Sequence, residues 1–420
     1  MGKSPKRTRL VKQYKSELAE FLSSNQRIKF DPIKKPEISV LIPVYNSAYH
    51  TLRCLKSLAA DQSCALEVIV FNNSSSDETS ELLQRFENIV VINSEKNLGF
   101  VGATNAAAHQ ARGRLVLMMN NDITILKGQL RDAAQLFATE KNVGAVGGLI
   151  KLATGRIQEA GAIIYRDGTT NGFLRNRKGE YAEGRFVRDV DYCSGAFLLL
   201  DRKYFIESGG LDEVFAPGYY EETDLCMRLR AAGLRIIYTP QIVLEHFEFG
   251  SLASGAAFER MARNRKIFVD RWKKALDAEN YAKPFSSSFA ASRRLISHPR
   301  VIIVLDSAKS LPGVHSAMLE LIQSGWHIGM MIIGQKNIGN TNFPIEEFIK
   351  IEFLPDQSLK KLHRQRPFYF DHFLAIGSTA KTKISNYSAQ ETKNISSEYV
   401  ATSLHLGALE NFRARISQIL

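Results

Sequence analysis

Ile38-Ser-Val-Leu-Ile-Pro-Val-Tyr45 is a short β-rich run, and the alternation of helices and strands that it begins decides the fold. Residues 48–60 read as a helix, Leu66–Phe71 as a buried strand and residues 77–86 as a helix. Asn88–Ile92 then reads as a strand, residues 100–112 as a helix and Arg114–Met119 as a strand. Short apolar runs bounded by turn residues and separated by helical stretches predict an α/β fold with a doubly wound, mostly parallel sheet. Such sheets bind ligands at the carboxyl ends of their strands. Polar residues gather there: Pro43 and Asn46 after the first strand, Asn72-Asn73 after the second, Asn120-Asn121-Asp122 after the fourth.

Outward from this block the pattern changes. From about 150 to 250, Gly-rich turns (Asp167-Gly168, Asn171-Gly172, Lys178-Gly179) predict an irregular region laid over one end of the sheet, and residues 256–277 read as one helix of mixed charge. The stretch 279–299, with Pro284, Ser286-Ser287-Ser288 and Pro299, reads as a linker. A second α/β pattern begins at Val301-Ile-Ile-Val-Leu-Asp306, with a helix over 313–324 and a strand Ile328–Ile333. The expected organisation is a basic arm over 1–36, a main α/β domain over 37–278, the linker, and a smaller α/β segment over 300–420.

With 45% hydrophobic and 23% charged residues, the 420-residue chain has the composition of a globular protein. Its four cysteines form no C-x-x-C pair, which argues against a zinc site or a disulfide framework and for a reducing compartment. No apolar run approaches the ~18–20 residues of a membrane span. The start, Met-Gly-Lys-Ser-Pro-Lys6, lacks an apolar signal core and a myristoylation Ser or Thr. The net charge of +12 is concentrated in the first 36 residues, whose ten Lys/Arg and three acids leave +7. Basic and aromatic residues do not interleave across a folded face, so the charge does not predict nucleic-acid binding. Thr8–Ser24 reads either as a helix with Leu10, Tyr14, Leu18 and Phe21/Leu22 on one side, resting on an anionic membrane, or as a solvated arm.

Four constellations can carry chemistry. Asp122, ending a hydrophobic strand between amides, suits either a divalent cation or an Asx turn. Glu221, Glu222 and Asp224 enter a helix; acids in a first turn satisfy the helix dipole, but three in four residues also suit a general base of raised proton affinity. His246 is by itself either a packed residue or a ligand. Asn97-Leu-Gly99-Phe-Val-Gly102-Ala-Thr-Asn105 has two glycines three apart at a helix start, fit for close approach of phosphate or sugar oxygens, or for tight packing alone.

Together and in this order, these segments resemble the inverting family 2 glycosyltransferases of GT-A fold, especially bacterial rhamnosyltransferase-like members that build surface polysaccharides. The resemblance covers roughly residues 37–275 and includes Val40–Asn46, the Asn72–Thr79 turn, Asn97–Asn105, Asn120–Asp122, Ser194–Leu200, Gly209–Glu213, Glu221–Arg228, His246 with Gly250-Ser251, and Asn264…Phe268…Arg271-Trp272. It implies that Pro43, Tyr45, Asn46, Asn72, Asn97, Gly99, Asn105, Asn120 and Asn121 bind the nucleotide-sugar. Asn72 replaces a family Asp, and its side-chain carbonyl can still accept the N3–H of uracil or thymine. Asp122 matches the last carboxylate of the D-x-D motif, with Asn120 in place of the first, and His246 completes a site for Mg²⁺ or Mn²⁺. Glu222 falls at the family's base position, with Glu221 as the fallback and Asp224 beside them; Asp191, Gly195 and Asp212 fall on the acceptor side. The implied reaction moves a sugar from a UDP- or dTDP-sugar to a hydroxyl of a glycan or lipid-linked acceptor, in the cytoplasm or at the inner face of the membrane. The rival expectation is a non-catalytic nucleotide-sugar-binding or scaffolding protein. Val301–Asp306, Gly313 and Gly325-Trp326-His327 resemble the first βαβ of a partial GT-B-type unit.

Overall fold

The computed structural model describes residues 5–61, 63–178, 184–247, 255–279, 300–310, 318–322, 326–335, 351–359, 361–362 and 372–391. Two compact units emerge, one of Met1–Gly179 with Asp189–Lys283 and one of Glu180–Arg188 with Pro284–Leu420. The expected linker 279–299 lies outside the described residues except for Glu279.

The first unit opens with α1 (Pro5–Ser23) and β1 (Ile28–Lys29), then runs β2 (Ile38–Val44), α2 (Ala48–Ala59), β3 (Leu66–Asn72), α3 (Thr79–Leu83), β4 (Phe86–Glu87), β5 (Val90–Asn93), α4 (Gly99–Ala108) and β6 (Leu115–Met119). β5, β3, β2 and β6 are parallel neighbours, with Ile38 opposite both Leu66 and Leu115. β3 and β6 are buried throughout and β2 nearly so, which explains their unbroken apolar runs. α4 is shorter than expected because the chain after it is drawn onto β2. The amides of Arg112 and Gly113 donate to Ser39 Oγ at 3.1 and 2.8 Å, and Ser39 donates to buried Glu67 at 2.5 Å.

The unit continues through β7 (Ile123–Lys127), α5 (Leu130–Thr139), β8 (Val143–Leu152), β9 (Ile157–Ala160), β10 (Ala162–Ile164), β11 (Thr170–Gly172), β12 (Arg188–Asp189), β13 (Phe197–Asp201), α6 (Arg202–Glu207), α7 (Glu221–Ala231), β14 (Arg235–His246) and α8 (Gly255–Glu279). β13 inserts antiparallel between β6 and β8, and β14 lies parallel to β8. The irregular region expected over 150–250 is confined mainly to the stretch before β13, where β9 to β12 are short, and from β13 onward the chain is regular. β14 hides from a sequence reading because Pro240 interrupts it and its register shifts between Tyr238 and Val243.

The N-terminal segment departs furthest from expectation. The helix exists, but its apolar side is turned onto the unit: Tyr14, Leu18 and Phe21 are buried. Tyr14 packs edge-on against His50 and Phe247, both with centroids at 5.8 Å, under the Arg53 guanidinium at 3.9 Å. Phe21 and Phe30 meet Phe86, β1 pairs with β4, and Arg85 donates to the carbonyls of Leu22 and Ser24 at 2.9 and 2.8 Å, closing the end of α1. The face expected to enter a lipid surface is therefore already covered by protein. No described helix is long and apolar enough to cross a membrane.

The second unit carries four parallel strands, β15 (Arg300–Leu305), β16 (His327–Ile332), β17 (Ile351–Leu354) and β18 (His372–Ile376), in the order β17-β16-β15-β18, and helix α9 (Ser378–Glu391). Alternate residues of β15 enter two cores, Val301, Ile303 and Leu305 on one face and Ile302 and Val304 on the other. Asp306 accepts the amide of Ala380 at 2.6 Å at the start of α9. The expected helix over 313–324 is described only at 318–322, where it is helical.

Phe21→Ala removes the aromatic that joins α1 to Phe86 and should lower the unfolding free energy by about 3–5 kcal/mol, read as a shift of the denaturant midpoint.

Candidate active site

A cleft of about 610 Å³ opens where β2 and β6 end, facing the start of β13 and the first turn of α7. It is lined by Pro43, Tyr45, Asn97, Gly99, Asn120, Asn121, Asp122, Gly195, Glu221, Glu222 and His246, all expected from sequence. Asn73, Phe100, Ser194, Ala196, Pro217–Tyr219 and Arg260 also line it.

The turn after β6 is held from three sides. Asn120 N–H donates to Ala196 O at 3.0 Å, Asn121 donates to Thr51 Oγ1 at 3.0 Å, and Phe247 N–H donates to Asp122 O at 3.1 Å. β7 pairs with β14 so that His246 stands opposite Ile123, one residue past Asp122. His246 Nε2 consequently lies 3.2 Å from Asp122 Oδ1, while its Nδ1 lies 2.8 Å from Gln158 Oε1. Both groups are buried.

This pair can accommodate a divalent cation. An imidazole nitrogen and a carboxylate oxygen are ordinary ligands of such ions, and two electron-pair donors this close need a proton or a cation between them. Among the described residues no group of three His, Cys, Asp or Glu converges on one point, so of these residues Asp122 and His246 would supply the carboxylate and the imidazole there. Mg²⁺ holds few protein ligands where phosphate oxygens and water supply the rest.

The glycine loop forms the adjoining wall. Gly99 has φ +70°, and a Cβ there would come within 2.6 Å of Pro217 Cβ, so the position requires glycine. Asn73 ties this loop down: its Oδ1 accepts Leu98 N–H at 2.7 Å and its amide donates to Asn97 Oδ1 at 2.8 Å. Asn97 Oδ1 also accepts Gly99 N–H at 2.8 Å.

Opposite lies the acidic cluster. Tyr219 and Tyr220 both adopt left-handed backbone, φ 81° and 72°, an uncommon pair of non-glycine residues that turns the chain sharply into α7. Glu221 is buried with no hydrogen-bond partner for Oε2, and burial, then the charge of Glu222, pushes its carboxyl well above the ordinary range. Glu222 is partly exposed to the cleft; burial raises its carboxyl too, opposed by amide donors including Gly195. A Cβ on Gly195 would meet Glu222 Cβ at 3.3 Å, so glycine keeps the carboxylate's flank clear. Glu159, buried nearby, accepts Ser194 N–H at 2.9 Å, and burial and the Glu222 charge push it up to about 7.

Six expected site residues lie elsewhere. Asp224 is wholly buried away from the cleft and accepts from Arg228 Nε, Arg271 Nη1 and Trp272 Nε1 at 2.8, 2.9 and 2.8 Å, so it anchors α7 to α8 instead of standing beside the base. Asp191, expected on the acceptor side, is fully buried against Ile164 N–H and Arg230. Asp212 caps a short turn through Val214 N–H, pairs with Arg271 and lines a separate cavity with Asn105. Asn105 exchanges two hydrogen bonds with Leu211. Asn46 Oδ1 accepts Ser76 N–H at 2.8 Å. Asn72 Oδ1 accepts Ser75 N–H at 3.1 Å while its amide donates to Asn93 and Ser80, so its carbonyl is engaged in shaping the turn and not turned to a base. Turns engage Asn46, Asn72 and Asp212, while Asp191, Asp224 and Asn105 are engaged by residues distant in sequence.

Gln158, Glu159 and Arg260 escaped the sequence reading. Gln158 and Glu159 sit in a segment without clear periodicity, and Arg260 is one of many charged positions on α8; no local signal distinguishes them.

Residues 39–209 match the family model described as "Glycosyl transferase family 2". Over 240 residues the chain is 29% identical to the O-antigen biosynthesis protein RfbC of Myxococcus xanthus, covering 55% of this chain and 19% of that protein. Over 261 residues it is 24% identical to the N-acetylglucosaminyl-diphospho-decaprenol L-rhamnosyltransferase of Mycobacterium tuberculosis, covering 55% of this chain and 83% of that protein. The structure of Staphylococcus aureus TarS 1-349 in complex with UDP-GlcNAc aligns over 57% of this chain and 69% of that one, at 19% identity and a TM-score of 0.43. The chain thus spans less than a fifth of the first relative and most of the second. Residues 39–209, set in the mostly parallel α/β sheet of the first unit, are thus the part of this chain that is similar to glycosyltransferase family 2.

Proposed function

We propose that the first unit transfers a sugar from a nucleoside diphosphate-sugar, with UDP or dTDP as the carrier, to a hydroxyl of a glycan or lipid-linked acceptor, inverting the anomeric carbon. The observation that carries this reading is the placement of Glu222, partly exposed beside Gly195, across the same cleft as the Asp122–His246 pair. The relatives in O-antigen and rhamnosyl transfer support a role in surface polysaccharide synthesis.

In this reading Pro43, Tyr45 and the Asn97–Gly99 loop receive the nucleotide end of the donor, with the exposed Tyr45 ring offering a stacking face. Arg260 lines the cleft and suits the diphosphate. A divalent cation on Asp122 and His246 would supply neutralisation of the charge that develops on the departing diphosphate. Glu222 takes the proton of the acceptor hydroxyl. The acceptor oxygen forms its bond to the anomeric carbon as the bond from that carbon to the diphosphate breaks, and the electron pair leaves with the nucleoside diphosphate. Glu221, more deeply buried, has its proton affinity raised further, which favours Glu222 as the member of the pair that ionises.

Membrane contact takes a different form from an inserted helix. With the apolar side of α1 buried, exposed Lys6, Arg9 and Lys12 are left to meet anionic headgroups electrostatically.

Glu222→Gln should lower kcat roughly 10²–10⁴-fold on whichever of a panel of UDP- and dTDP-sugars the protein uses, while calorimetric UDP affinity stays near wild type; near-normal turnover would remove the base assignment. Because the base must be ionised and its proton affinity is raised, activity should rise with pH through an inflection above 4.5, the ordinary glutamate value, and fall off on the acid side. Arg9→Glu with Lys12→Glu should abolish co-sedimentation with phosphatidylserine vesicles at low salt; undiminished binding would dispose of the electrostatic contact.

A further inference from the structure

β9 lies antiparallel on β8, but its register is broken. Ile150 faces Glu159 and Lys151 faces Ile157, which leaves Gln158 as an extra, unpaired residue. This is a β-bulge, a device that re-aims a side chain and recurs beside active sites. In an unbroken strand Gln158 and Glu159 would point to opposite faces. Here both serve the same cleft: Gln158 reaches His246, and Glu159 accepts the amide of cleft-lining Ser194. Close backing holds the bulge in place. A Cβ on Gly172 of β11 would come within 2.6 Å of Gln158 O and 2.8 Å of Glu159 Cβ, so only glycine lets β11 lie over it.

The orientation of the Gln158 amide sets the sense of the contact. Gln158 is buried and presents Oε1, which can only accept, to His246 Nδ1 at 2.8 Å. With the amide oxygen facing the ring, it is Nδ1 that carries the hydrogen. In the neutral ring Nε2 then carries a lone pair, and it is this nitrogen that stands 3.2 Å from Asp122 Oδ1. We propose that Gln158, delivered by the β9 bulge, is a positioning residue that holds His246 in the Nδ1–H tautomer and so turns its Nε2 lone pair toward Asp122, ready for a divalent cation. The inference rests on Asp122 and His246 forming the cation pair. An outer partner of this kind orients the ring and raises its basicity, and its loss typically costs about 10–100-fold in metal affinity.

The test uses the full chain, Mn²⁺ as probe, alone and with UDP present, and two readouts. Long-range ¹H–¹⁵N spectra of labelled protein, with His246 assigned through His246→Gln, should show Nδ1–H in the wild type; an Nε2–H ring would overturn the proposal. Titration of Mn²⁺ followed by its electron spin resonance should show affinity falling roughly 10–100-fold in Gln158→Leu and recovering in Gln158→Glu, which still accepts. Unchanged affinity in Gln158→Leu, alongside loss in Asp122→Asn, would overturn the role of Gln158 and leave the cation pair standing. If the wild type binds no Mn²⁺ either alone or with UDP present, the cation pair fails. The tautomer spectra of Gln158→Leu then decide alone: a shift away from Nδ1–H supports the positioning role, and an unchanged ring overturns it.

Discussion

β14 pairs with β8 on one side and β7 on the other, and at its carboxyl end His246 stands opposite Leu152 of the first and Ile123 of the second. Because β7 begins one residue after Asp122, that register brings imidazole and carboxylate to 3.2 Å. A strand's side chains alternate with a period of two, so a slip of one residue would send His246 to the other face and dissolve the pair. The cleft wall at the end of β6 depends on the same pairing, since the amide of Phe247 is what holds the carbonyl of Asp122. From the outside, α1 closes over this junction: Tyr14 packs on Phe247 and on His50, and burial lowers the proton affinity of His50 to about 4, so that this histidine stays neutral behind the site.

The opposite wall is built on a different arrangement of charge. Three carboxyls, Glu159, Glu221 and Glu222, are withdrawn from water with few donors between them, and burial raises the proton affinity of each. Such a cluster is costly to ionise. Asp224, two residues on from Glu222, shows the contrasting solution, in which a wholly buried carboxylate is satisfied by two arginines and an indole. One acid of α7 thereby fastens the helix to α8, while its neighbours face the cleft under-solvated. Asn264 reinforces the junction from α8, donating to the carbonyls of Phe215, Gly218 and Tyr219 in the loop that leads into α7.

Legibility followed the range of the interactions. β2, β3 and β6 were readable because strands buried between helices must be apolar along their whole length, and the turn residues at their carboxyl ends marked the cleft. Glu221, Glu222, Asp122 and His246 were singled out by their residue types and their order along the chain, and all four line one cleft. The expected residues that stand off the cleft are held in two ways. Asn46, Asn72 and Asn105 have side chains that hydrogen-bond neighbouring backbone as readily as ligands, and Asp191, Asp212 and Asp224 found arginines that are distant in sequence. Composition cannot tell a carboxylate awaiting a substrate from one already paired.

What the amino-acid order determined unaided was the alternation of apolar runs and helices and the acids at the head of α7, both local consequences of periodicity and helix-end electrostatics. Tertiary structure alone decided which of those polar groups face one another. It turned the apolar side of α1 onto the unit, since aromatic surface presented by His50, Phe86 and Phe247 lay within its reach, and it placed Gln158 against His246 through a single extra residue in β9. Neither outcome leaves a local trace, because each rests on contacts between segments whose approach is governed by strand register and burial.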